Sequence, residues 1–68
     1  MYNKVYQGGE KMEFNLKKMK NLAKNDLLIK RMATDLAKKL GNEEEAYRIV
    51  FNSEVLGDSI MEEQYKNA

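Results

Sequence analysis

Three acidic residues in a row, Glu43-Glu44-Glu45, and a pair, Glu62-Glu63, are the side chains of this sequence closest to a chemical constellation. Carboxylates ligate hard cations and serve as general acids and bases. Their spacing works against both roles. Consecutive residues on a helix point about 100° apart, so neither run closes on one ion or one reacting atom by itself. No calcium-loop spacing of Asp and Asn with a central glycine is present. The runs read instead as solvated faces that complement a helix dipole. Nucleophiles are as sparse. Ser53, Ser59 and Thr34 have no histidine to activate them, because the chain contains none. It contains no cysteine either, which removes thiolate chemistry, thiolate metal sites and disulfides together. The lysines all lie in patterns that read as exposed, and Gly8-Gly9 lacks the lysine and strand–helix context of a phosphate loop. The expectation is no enzyme, no cofactor and no metal.

The elements that carry these residues read as helices. Proline is absent, and alanine, leucine, lysine and glutamate, all good helix formers, dominate from Asn15 onward. Asn15 is placed to cap a short helix, about Leu16–Lys24, with Leu16, Met19 and Ala23 on one side. Asn25-Asp26 offers a break and a second cap. The next helix, Leu27–Leu40, gathers Leu28, Met32, Leu36, Ile29, Leu40, Ala33 and Ala37 on one arc, opposite Arg31, Thr34, Asp35 and Lys38. Gly41 follows where a left-handed residue closes a helix. Asn42 and Glu45 make a capping box for a third helix from about Glu43 to at least Phe51. Gly57-Asp58-Ser59 then predicts an interruption, with Ser59 and Glu62 as another capping box. One long helix through Gly57 is the alternative, at a cost of about 1 kcal/mol for the glycine. The fold class expected is all-α, three to four short helices around a central antiparallel helical hairpin.

Residues 1–11 differ from the rest, with no helical period, and are set apart from a single small helical domain over 12–68. Gln7-Gly8-Gly9-Glu10-Lys11-Met12 back-translates to CAA GGA GGN GAA AAA ATG, a ribosome-binding sequence ahead of a start codon. On that reading the native chain starts at Met12 and the source is bacterial; an ordinary flexible tail is the alternative. The longest apolar runs, Leu27-Leu28-Ile29 and Ile49-Val50-Phe51, fall far short of the ~20 residues of a membrane span. With no secretory leader pattern, the expectation is a cytoplasmic protein without a membrane partner.

The net charge of +1 conceals a division. From Leu16 to Leu40, eight basic residues (Lys17, Lys18, Lys20, Lys24, Lys30, Arg31, Lys38 and Lys39) face only Asp26 and Asp35, a net of +6. From Gly41 to Ala68, seven acidic residues face Arg48 and Lys66, a net of −5. The halves can pair within a molecule, pair between molecules, or aim at a charged partner. The eight basic residues are also the candidate nucleic-acid contacts, able to track a phosphate backbone. No aromatic residue lies among them to stack on bases, which disfavours single-strand binding.

Leu36-Ala37-Lys38-Lys39-Leu40-Gly41 resembles the first helix and turn of a helix-turn-helix, with alanine four residues before glycine. The resemblance implies a DNA-binding regulator with Tyr47 and Val50 packing in the second helix. Two departures weaken it. Asn42 stands where the motif usually carries an apolar residue, and Glu43-Glu44-Glu45 would open the recognition helix and repel the duplex.

Protein recognition is the first expectation. The apolar arc after Glu43 is broader than a domain this small needs internally, and a chain of this size buries only about 60% of its unfolded surface. Tyr47, Phe51, Met61 and Tyr65 are the candidate anchors for a second copy or a larger target protein. Ile49, Val50 and Leu56 are assigned to the chain's own core. A compact, cysteine-free, highly charged chain suits a phage or mobile-element inhibitor or adaptor that binds and regulates a larger protein.

Overall fold

The structure, a computed structural model, describes residues 12–68. The expectations for 1–11 lie outside the described residues. Among these residues four α-helices follow one another: α1 (Leu16–Asn25), α2 (Leu27–Leu40), α3 (Glu43–Val50) and α4 (Ser59–Lys66). A π-helical turn, Phe51–Val55, extends α3, and no strand occurs among the described residues. The fold is all-α, as the composition and periodicity predict.

Each boundary has a side-chain or backbone cause. The Asn15 side chain accepts the Lys18 N–H at 3.0 Å and starts α1. Asp26 accepts the Ile29 N–H at 3.2 Å, so α2 begins one residue after α1 ends. Gly41, at φ +69°, closes α2, and its N–H donates to the Ala37 carbonyl at 2.8 Å. Asn42 then accepts the Glu45 N–H at 3.0 Å. The reciprocal bond of the capping box, from the Asn42 N–H to the Glu45 carboxylate, does not form.

The break after α3 forms as expected but by different groups. The cap of α4 is Asp58, not Ser59: one carboxylate oxygen accepts both the Ile60 and Met61 N–H groups. Glu62 reaches back to accept the Gly57 N–H at 2.9 Å, which moves the capping pair one residue upstream. Gly57, at φ +90°, turns the chain. The π turn was not legible in the apolar pattern. Its Leu56 N–H donates to the Phe51 carbonyl five residues back, and the wider turn leaves both Phe51 and Val55 buried.

Gly41 and Asn42 alone join α2 to α3, so these helices fold back on each other as the central hairpin. Their contact is built on small residues: Ala33 and Ala46 are fully buried, beside Ile29 and Val50. α1 lies against the hairpin through Met19, Leu22 and Ala23, and α4 packs on α1 and on the π turn. One core joins them, from Met19 through Val50, Phe51 and Val55 to Tyr65.

Candidate protein interface

The four side chains expected to meet a partner divide. Phe51 and Tyr65 are 2% and 3% exposed and belong to the chain's own core. Their rings lie 5.0 Å apart, and Phe14 meets Phe51 edge-on at 5.6 Å. The Tyr65 hydroxyl donates to the Glu13 carbonyl at 2.8 Å, tying the residues before α1 to the last helix. Tyr47 and Met61 are half-buried against the same core. The breadth of the apolar arc after Glu43 therefore has an internal cause: that segment meets α1, α2, α4 and Phe14 at once.

Burial pushes the Tyr65 phenol above its ordinary value of 10.0, with a backbone hydrogen bond at Asn15 pulling the other way. The folded state thus holds the proton more tightly than the unfolded one. That contribution to stability is intact below about pH 10 and is lost as pH rises through the folded value. Tyr65→Phe is expected to be less stable at neutral pH by about 0.5–1.5 kcal/mol. The gap to wild type should narrow above pH 10 in urea titrations; an unchanged gap would refute this assignment.

Several side chains expected inside are outside. Leu28 is 65% exposed, Leu40 47%, Ile49 36% and Leu56 39%. These correct the expected core: Leu28 lies beyond the end of α3, Leu40 sits at the hairpin turn, Ile49 is on the flank of α3 turned away from α1, and Leu56 follows the π turn. Leu28, Met32 and Leu36 recur every four residues and so form one row along α2. Met32 and Leu36 are half-buried in the core, and Leu28 continues the row into solvent.

The faces of the hairpin can be told apart by what lies against them. Tyr47 and Lys30 line a shallow groove with Lys20, Ala23 and Lys24, which marks the side turned to α1. On a helical projection Ile49 falls on the opposite flank of α3 from Tyr47, and the Leu28 row on the opposite flank of α2 from Lys30. Leu28, Met32, Leu36 and Ile49 therefore share the outer face of the hairpin. Among the described residues no helix covers it.

Comparison with protein-family models, curated proteins and solved structures finds no match.

The eight basic residues do not form one track. Lys20 is held by Glu43 at 3.1 Å and shares the α1-side groove with Lys24 and Lys30. Lys18 lies over the Tyr65 ring, 5.5 Å from its centre. Arg31, Lys38 and Lys39 are exposed on α2, and Lys17 is exposed on α1. On the helical projection Arg31 and Lys39 lie away from Lys30, on the flank of the apolar row, and Lys38 lies beside Thr34 between the two flanks. The acidic run is also divided: Glu43 meets Lys20, Glu44 meets Arg48 at 3.5 Å, and Glu45 is exposed. Arg48 in turn lies 4.7 Å over the Phe14 ring. No three acidic side chains gather as a metal would need among the described residues. Ser53 donates to the Val50 carbonyl at 3.5 Å, and Ser59 sits in the first turn of α4. No helix among the described residues is long and apolar enough to cross a membrane.

Proposed function

We propose that the protein is a small non-enzymatic interaction module that binds and regulates another protein through the outer face of the α2–α3 hairpin. The observation that carries this reading is the exposed apolar row continuous with the core, Leu28 leading to Met32 and Leu36, with Ile49 beside it. The exposed apolar side chains of this face are aliphatic, whereas the aromatic Phe51 and Tyr65 are buried. Exposed apolar patches rimmed by polar residues are where soluble proteins meet partners. The complete lack of histidine and cysteine supports the non-enzymatic part. A cytoplasmic phage or mobile-element inhibitor or adaptor is the finer form of the proposal, and it rests on composition alone.

The duplex-DNA alternative is weaker on geometry. The helix that would read bases opens with three carboxylates, and the lysines that would hold phosphates are split between two flanks of α2.

The test compares the full chain, immobilised, with its Leu28→Lys/Ile49→Lys variant. Both substitutions replace exposed side chains, so the variant is expected to keep its helicity and melting temperature. It should lose the proteins that the wild type retains from cell extract. Retention of the same set by a folded variant would contradict the reading.

A further inference from the structure

The charges that border the outer face distinguish what covers it. Along the α2 edge of the apolar row stand Arg31, Asp35 and Lys39, two basic residues against one acidic. On the α3 edge beside Ile49 stands Glu45, exposed, while its neighbours Glu43 and Glu44 are already engaged by Lys20 and Arg48. The same asymmetry runs through the whole molecule, since α1 and α2 carry the basic half and α3 onward the acidic half. Among the described residues a single ion pair, Lys20–Glu43, joins the two halves. Among the described residues most charge of both signs is thus not used in pairing the two halves.

We infer that the outer face is closed by a second copy of this chain, related by a two-fold axis that runs along the helices; the inference rests on the protein-interaction reading above. A two-fold interface brings the same surface together twice, so the surface must complement itself. Two symmetric arrangements keep the helices of the two copies aligned. An axis across the helices lays α2 on the partner's α2, which sets the basic edges against each other. An axis along the helices lays α2 on the partner's α3, and basic meets acidic on both sides. Only the second arrangement matches the charge, and it sets each apolar row against the other copy's α3 in a four-helix core. Counting outward from the Gly41-Asn42 turn, Lys39 stands nearly level with Glu45, and Ile49 falls between Met32 and Leu36. Each Lys39 then meets the other copy's Glu45, and each Ile49 enters the other copy's Leu28–Leu36 row. A domain this small, with no disulfide, gains most from such burial.

The experiment is sedimentation equilibrium of the full chain as wild type, as Lys39→Glu, as Glu45→Lys, and as an equimolar mixture of the two variants. Far-UV circular dichroism accompanies it to verify that each variant keeps its helices. The wild type is expected to dimerise. Each variant alone sets like charges opposite each other twice, and its dimer dissociation constant should rise at least about tenfold. The mixture restores opposite charges at both contacts, so a heterodimer of near wild-type affinity should form. A mixture no tighter than its separate variants, or a wild type that stays monomeric at every concentration, would overturn the second-copy proposal. A monomeric wild type whose captured proteins still depend on Leu28 and Ile49 would overturn it while sparing the interaction reading.

Discussion

Phe51→Ala is expected to unfold the domain, not to weaken an interface. The ring is 2% exposed, sits at the start of the π turn, and meets Phe14 on one side and Tyr65 on the other. Truncating a buried phenylalanine costs about 3–5 kcal/mol. A core in this size class rarely supplies more than about 3–5 kcal/mol in total. The two figures are of one size, so the variant should lose most of its helical signal at room temperature. A cooperative melt within a few degrees of wild type would show that Phe51 is not at the centre of the core.

Tyr65→Ala should have the second largest effect, for a related reason. Tyr65 is the only fully buried residue of α4, and its hydroxyl holds the Glu13 carbonyl. Its removal takes away both the ring contact and the bond that fixes the chain ahead of α1. The expected loss is again about 3–5 kcal/mol, with Tyr65→Phe retaining all but the share of one hydrogen bond. Urea denaturation of the two variants side by side separates ring from hydroxyl. Equal stabilities would mean that the hydroxyl, and not the ring, secures α4. A weakened association in either variant would reflect unfolding and carry no information about an interface.

These two residues show where sequence was informative and where it stopped. The helices were legible because local signals agreed: Asn15, Asp26, Asn42 and Gly41 each stand at a boundary that their own chemistry dictates. The one displaced cap, Asp58 for Ser59, lies between adjacent residues that both cap well, and only the backbone turn at Gly57 chooses between them. Periodicity gives the direction in which a side chain points, but not what stands there to meet it. Phe51 and Leu28 both belong to wide apolar arcs. Phe51 is buried because α4 and Phe14 close over it, contacts that join residues far apart in sequence. Leu28 is exposed because α3 ends its coverage of α2 before the arc is complete. The charge division was plain in the sequence, whereas the placement of Arg31 and Lys39 beside the apolar row required the packing of α1 to show which flank is outside.

The most direct test of the outer face as an interface is photo-cross-linking in cells, with a photoreactive residue at position 28 and, as control, at the exposed position of Thr34 on the other side of α2. Position 28 should give protein adducts on illumination and position 34 should give none. Adducts equally abundant from both positions, or none from position 28, would contradict the assignment of this face to protein recognition.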